Sequence, residues 1–90
     1  MRLDAINFDA LRTFEVAAHM LSFTQAAQSL NITQSAVSQQ IRMLETRLGY
    51  PLFIRQARSL VLTDKGRILF NAVSKSFFDT RIQIPSATHL

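Results

Sequence analysis

The sequence has no cysteine and only two glycines and two prolines in 90 residues. Without cysteine, a disulfide scaffold and a thiolate metal site are excluded, and the composition suits a reducing cytoplasm. No apolar run approaches the roughly 20 residues that span a membrane, and the N-terminus lacks the long apolar core of a signal peptide. A hydrophobic content of 48% argues against disorder, so one small folded domain is expected.

Residues with catalytic potential are also scarce. The two histidines, His19 and His89, stand in unrelated parts of the chain, and there is no HExxH motif, glycine-rich phosphate loop or cluster of carboxylates. Ser35 and Ser38 have no histidine nearby in sequence to activate a hydroxyl nucleophile. An enzyme is therefore the weaker alternative, and neither a cofactor nor a metal ion is expected.

Acidic residues are missing from one long stretch of the chain. No Asp or Glu occurs between Glu15 and Glu45, and six basic residues from Arg42 to Arg67 stand against two acidic ones. That segment carries a net charge of +4, which is the excess of the whole chain, because the remaining acids and bases balance. Such asymmetry suits a surface that faces phosphates. The alternative is charge scattered over the surface for solubility. It fits less well, because the acidic and basic residues outside this segment cancel.

Two helices joined by a tight turn are predicted in the middle of this acid-poor region. Ser22 and Gln25 have the spacing of a capping box. Asn31 suits the left-handed conformation that ends a helix, Thr33 suits the N-cap of the next helix, and Gly49 suits its C-terminal end. A short helix, a turn of about three residues and a longer second helix form the pattern of a helix-turn-helix. The pattern indicates nucleic-acid binding.

The second of these helices separates its residues into two faces. At about 100° per residue, its apolar residues fall within an arc of roughly 60°: Val37, Ile41, Leu44 and Leu48. The opposite face is polar: Ser35, Ser38, Gln39, Arg42 and Thr46. The apolar arc must be buried, so the polar face points outward, where hydroxyls, amides and an arginine can bond to base edges. An ordinary solvated face is the alternative, although such faces usually carry more Glu and Lys.

A first helix and a hairpin are predicted on either side of this motif. The first helix runs over Phe8–Met20, capped by Asn7, with these residues on or near its apolar face: Phe8, Leu11, Phe14, Ala18 and Leu21. The segments Leu52–Arg55 and Leu60–Leu62 read as two short strands around a polar, basic tip. A hairpin in this place is a wing. The expected fold is mainly α: a winged helix-turn-helix with a three-helix core and a two-stranded wing.

A long fourth helix is predicted over residues 63–84, with Thr63 as its cap, and residues 85–90 form a frayed tail. Residues 1–67 then form the winged helix-turn-helix domain. Apolar and small residues recur along the fourth helix at the spacing of a helix–helix seam: Phe70, Val73, Phe77, Thr80 and Ile84. Part of that stripe must cover the domain's own core.

The motifs, taken in order, resemble those of LysR-type transcriptional regulators. The chain shows SFTQAAQSL at Ser22–Leu30, TQSAVSQQIRMLETRLG at Thr33–Gly49, LFIR at Leu52–Arg55, and LTDKG at Leu62–Gly66. TQSAVSQQI together with RSLVLT most resembles the branch that contains the glycine-cleavage activator. Ser35 stands where the family commonly has proline. The resemblance covers the DNA-binding domain alone, and the family's larger effector-binding domain is absent from this sequence.

This resemblance implies sequence-specific binding to double-stranded DNA, with the second helix of the motif in the major groove and the basic wing on the backbone or in the minor groove. The residues expected to contact DNA are Thr24, Thr33, Gln34, Ser35, Ser38, Gln39, Arg42, Arg55 and Arg58. A pseudo-palindromic operator, a homodimer through the fourth helix and a bacterial cytoplasmic, nucleoid-associated location are implied as well. RNA polymerase is a further candidate partner for the full-length protein.

Two alternatives stay open at the level of sequence. A winged helix used only for protein–protein contact is opposed by the basic wing and the acid-free polar face, and salt-dependent binding would discriminate it from a DNA-binding domain. Arg55, at the end of a strand, has a second possible role: it would pair with Asp64 or another acid and stabilise the hairpin.

Overall fold

The computed structural model describes residues 8–75 of the chain. Three helices come first, α1 (Phe8–Met20), α2 (Phe23–Leu30) and α3 (Gln34–Leu48). Two antiparallel strands follow, β1 (Phe53–Arg55) and β2 (Leu60–Leu62), with Ile54 opposite Val61. Residues 64–75 are helical and are named α4 here. This order confirms the predicted winged helix-turn-helix, while Asn7 and the predicted end of the fourth helix lie outside the described residues.

The helix ends predicted around the helix-turn-helix are confirmed at four cap residues, Ser22, Asn31, Thr33 and Gly49. The Ser22 hydroxyl accepts a hydrogen bond from the backbone N–H of Gln25 at 3.1 Å. Asn31 ends α2 in the left-handed conformation, with φ 61° and ψ 42°. The Thr33 hydroxyl accepts from the backbone N–H three residues on, at 3.0 Å, and Gly49 ends α3 with φ 85°. Local side-chain chemistry therefore fixes both ends of the turn between the two helices.

The hydrophobic core lies where α1, α2 and α3 pack against one another, each helix contacting the other two. Its most deeply buried large side chains are Phe14, Val37, Ile41, Leu44 and Leu52. Phe53, the first residue of the wing, packs edge-on against Phe14 and Phe23, with ring centroids 5.6 and 5.3 Å apart. The base of the wing is thus part of the helical core.

Two residues predicted on or near the apolar face of the first helix are exposed. Phe8 is 62% exposed and Leu21 is 46% exposed. Phe8 is the first residue of α1, at the edge of the domain. Leu21 follows the end of α1 and has a positive φ of 50°, so its backbone is no longer α-helical. It therefore does not follow the helical period that places Phe14 and Ala18 in the core.

The start of α4 is bonded to the segment that leads into the wing. The Thr63 backbone N–H donates to the carbonyl of Leu52 at 2.9 Å, and its hydroxyl donates to the carbonyl of Pro51 at 2.8 Å. The same hydroxyl accepts from the backbone N–H of Gly66 at 2.9 Å, which confirms Thr63 as the cap. A Cβ on Gly66 would lie 2.2 Å from the Leu52 carbonyl oxygen. Glycine is needed here for close approach rather than for flexibility.

Part of the stripe predicted for a dimer covers the domain's own core. Val73 is only 6% exposed, and Phe70 packs half-buried against the same cluster. Phe77 and Thr80 lie outside the described residues. Of the helices in residues 8–75, none is both long and apolar enough to cross a membrane.

Candidate nucleic-acid interface

Five of the residues predicted to contact DNA lie together on α3. They line one shallow depression, called the recognition surface below: Gln34, Ser35, Ser38, Gln39 and Arg42. Ser38 is half-buried and the other four are exposed. The opposite side of α3 contributes Val37, Ile41 and Leu44 to the core, so the helix cannot rotate to hide its polar side chains.

Thr24 adjoins this surface from the second position of α2. Its hydroxyl donates a hydrogen bond to Oε1 of Gln34, with 3.1 Å between the oxygen atoms. Both side chains are exposed. The Thr33 hydroxyl is engaged by the backbone of α3 in its role as N-cap. The helix-turn-helix therefore brings Thr24 and Thr33 next to the recognition surface.

The wing forms a tight hairpin that closes on itself. The backbone groups of Gln56 and Ser59 exchange hydrogen bonds of 2.9 and 3.4 Å, and the Ser59 hydroxyl donates to the Gln56 side chain at 2.8 Å. Arg58 lies at this tip and is exposed. The hairpin therefore projects a guanidinium group into solvent on a short, hydrogen-bonded support.

Arg55 occupies a different position from that of Arg58. Its Cζ lies 4.8 Å from the centroid of the Phe23 ring, within the range of a cation–π contact. The second role predicted for Arg55 was a pair with Asp64 or another acid, whereas the contact observed is with an aromatic face on α2. No sequence pattern indicates this contact, because residues 23 and 55 come together only in the folded chain.

Glu45 ties α3 to the wing, a role that sequence reasoning missed. Its Oε2 accepts hydrogen bonds from the backbone N–H groups of Leu52 at 2.7 Å and Phe53 at 3.4 Å. The carboxylate lies near the end of α3 and meets the chain as it enters β1. The only available signal was an acid standing alone in a helix whose polar face is otherwise free of acids. The recognition surface and the wing are thereby held in a fixed relation.

The electrostatics of this face favour an anionic partner. The first turns of α2 and α3 contain no acidic residue, so the positive ends of their dipoles are not offset. All Arg and Lys side chains of the described residues are exposed, including those of α3 and the wing. Within residues 8–75, no group of His, Asp and Glu side chains is arranged to hold a metal ion. The arrangement is equipped to bind phosphates and to exchange hydrogen bonds with base edges.

Comparison with known proteins places this fold among bacterial regulators. The chain is 56% identical over 69 residues to the transcriptional activator AmpR of Providencia stuartii, which covers 77% of this chain and 24% of that protein. It is 50% identical over 76 residues to the glycine cleavage system transcriptional activator of Escherichia coli K12, covering 84% and 24%. The chain therefore spans about a quarter of the length of these curated relatives.

Solved structures agree with these relatives. A LysR-family regulator from Eggerthella lenta matches with a TM-score of 0.72 and 42% identity, over 77% of this chain and 99% of that one. The DNA-binding domain of BenM, crystallised with catB site 1 DNA, matches with a TM-score of 0.82 and 29% identity over 91% of each chain. The family described as bacterial regulatory helix-turn-helix proteins of the lysR family matches residues 8–67. The chain belongs to the LysR family of bacterial regulators.

Proposed function

We propose that this chain is a DNA-binding domain that recognises a specific double-stranded sequence, with α3 in the major groove. The observation that carries the proposal is the recognition surface, where amides, hydroxyls and one arginine point outward from a helix whose other side is locked in the core. Each base pair presents a distinct set of donors and acceptors in the major groove, and side chains of this kind can read it. The BenM domain, which shares the fold, was crystallised on DNA.

The contacts divide into two kinds. Four side chains at the start of α3 meet base edges or neighbouring phosphates: Gln34, Ser35, Ser38 and Gln39. Arg42, one turn farther on, reaches a guanine or a phosphate. Thr24 and Thr33, near the N-termini of α2 and α3, contact phosphates of the DNA backbone. Arg55 and Arg58 place the wing on the backbone or in the adjacent minor groove. This is a binding role in the bacterial cytoplasm, without catalysis, and any contact with RNA polymerase belongs to the full-length protein.

The proposal is tested by comparing Gln34→Ala with Arg58→Ala on a duplex selected from a random pool and on random duplexes. Gln34→Ala should lower the preference for the selected duplex on the order of ten-fold, because a base-edge contact is lost while phosphate contacts stay. Arg58→Ala should weaken binding to every duplex and lower the slope of log affinity against log salt by roughly one per contact. Fluorescence anisotropy at several salt concentrations measures both.

The two variants serve as controls for each other, since both side chains are exposed and neither substitution removes core packing. Binding by the unaltered chain that is independent of salt would count against a DNA-binding role. Full preference for the selected duplex in Gln34→Ala would remove that residue from the base-reading set.

The proposed assembly is a homodimer that pairs the fourth helices of two copies and reads a pseudo-palindromic operator. Two recognition helices related by a two-fold axis then meet half-sites about one DNA turn, or a multiple of it, apart. Because Val73 is buried in the domain's own core, Phe70 is the member of the predicted stripe within residues 8–75 that stays partly exposed for such a seam. We expect sedimentation from micromolar to millimolar concentration to show a monomer–dimer equilibrium. A monomer throughout, also when DNA is bound, contradicts the dimer.

A further inference from the structure

The first residue of α2, Phe23, has contacts on two sides. The ring is only 8% exposed and packs edge-on against Phe53, with the ring planes at 89°. Its face receives the guanidinium of Arg55, 4.8 Å from the centroid. A long, exposed arginine side chain otherwise samples many rotamers, and ordering it on binding carries an entropic cost. The Phe23 face reduces that cost in advance.

The second residue of α2, Thr24, stands in a comparable relation to the recognition helix. Its hydroxyl donates to Oε1 of Gln34, the first residue of α3. With the carbonyl oxygen of the amide turned toward α2, the NH₂ group of Gln34 is directed away from α2. The NH₂ group of an amide held in this way offers two hydrogen-bond donors to bound DNA.

We infer that Phe23 and Thr24 are positioning residues for the DNA interface: Phe23 holds Arg55 of the wing for a phosphate contact, and Thr24 holds Gln34 for a base-edge contact. The inference rests on the proposed function and assigns the two residues different effects on DNA binding. Phe23 affects binding to all duplexes, because phosphates are the same in every DNA sequence. Thr24 affects discrimination between duplexes, because it acts on a base-edge contact. The amide orientation further selects base edges rich in acceptors, such as guanine N7 and O6.

The role of Phe23 is tested with the 90-residue chain and a double-mutant cycle. Phe23→Leu keeps an apolar side chain but removes the aromatic face, and we expect a loss of affinity of about two- to five-fold for all duplexes. In an Arg55→Ala background the same substitution should have no further effect on affinity or on the salt slope. Phe23→Tyr, which keeps the ring, should restore wild-type binding.

Phe53→Leu is the matched control for lost packing, because Phe53 belongs to the same aromatic cluster but is not the ring under Arg55. It should leave the salt slope of binding unchanged while lowering the melting temperature as Phe23→Leu does. Equal losses of affinity from Phe23→Leu in both Arg55 backgrounds would show a purely structural role and overturn the positioning of Arg55.

Thr24 is tested through the preference for the selected duplex over random duplexes. Thr24→Val removes the hydroxyl at nearly constant volume and should lower that preference, while Thr24→Ser should retain it. In a Gln34→Ala background, Thr24→Val should leave the preference unchanged. A uniform loss on all duplexes would mark Thr24 as a phosphate contact alone and overturn its positioning role. Absence of DNA binding by the unaltered chain would overturn the proposed function itself, and with it both positioning roles.

Discussion

Gly66→Ala is expected to destabilise the domain by about 3 kcal/mol, although alanine is the better helix former. In an ordinary helix interior this substitution stabilises by about 1 kcal/mol. Here the added Cβ would lie 2.2 Å from the backbone oxygen of Leu52, and a backbone group cannot swing away as a side chain does. Relief requires α4 to move off the segment before the wing, which strains the bonds from Thr63 to Leu52 and Pro51. Overpacking of this kind typically costs about 1–3 kcal/mol, occasionally more.

Urea unfolding monitored by circular dichroism measures this effect, with the midpoint and slope reported separately. Asn71→Ala is the matched control, because position 71 is an exposed site on the same helix. It should stabilise the domain by a few tenths of a kcal/mol through helix propensity alone. A Gly66→Ala domain as stable as the wild type would show that α4 does not lie as close to Leu52 as described.

Gln39→Glu is expected to weaken DNA binding on the order of a hundred-fold, on selected and random duplexes alike. The substitution changes an exposed amide of the recognition surface to a carboxylate of nearly the same shape. In the proposed binding mode a negative charge at this place lies against phosphates and base-edge acceptors, and like charges brought together at an interface repel by several kcal/mol. No acid occurs between Glu15 and Glu45, so no acidic side chain of α3 before Glu45 lies on this face.

Asn71→Asp is the control for net charge, because it adds the same charge at an exposed position of α4 that is not among the residues of the recognition surface. It should reduce affinity only slightly, and the reduction should fade as salt screens the longer distance. Electrophoretic mobility shift assays measure the DNA affinity of both variants relative to the wild type. If the two variants lost affinity equally, the effect would come from total charge, and α3 would not face the DNA.

The parts of the fold that could be predicted from sequence are those set by neighbouring residues. Ser22, Asn31, Thr33 and Gly49 each act on backbone groups within a few positions, so their identities predict the ends of α2 and α3. The apolar period of α3 likewise predicts which residues enter the core and which form the recognition surface. Five of the predicted contact residues were found together for this reason.

The parts that escaped prediction depend on residues that are distant in sequence. Glu45 was counted only as one charge among others, and its bonds to the base of the wing depend on the angle at which the chain leaves α3. No local pattern singles out Phe23, because the guanidinium on its face comes from 32 positions further along the chain. Periodicity also failed at Leu21, where a left-handed residue interrupts the helix that the pattern assumes.

The wing has a base that is bonded to the helical domain and a tip that is closed by its own hydrogen bonds. This difference bears on how regulators of this family can acquire new target sites. The hydrogen bonds between Gln56 and Ser59 are local to the tip, so residues between them can be exchanged with little effect on folding. The base is held by the carboxylate of Glu45 and by the aromatic packing of Phe53. In the proposed binding mode, substitutions at positions 57 and 58 therefore change the contacts of the wing tip with DNA, while the placement of α3 is left unchanged.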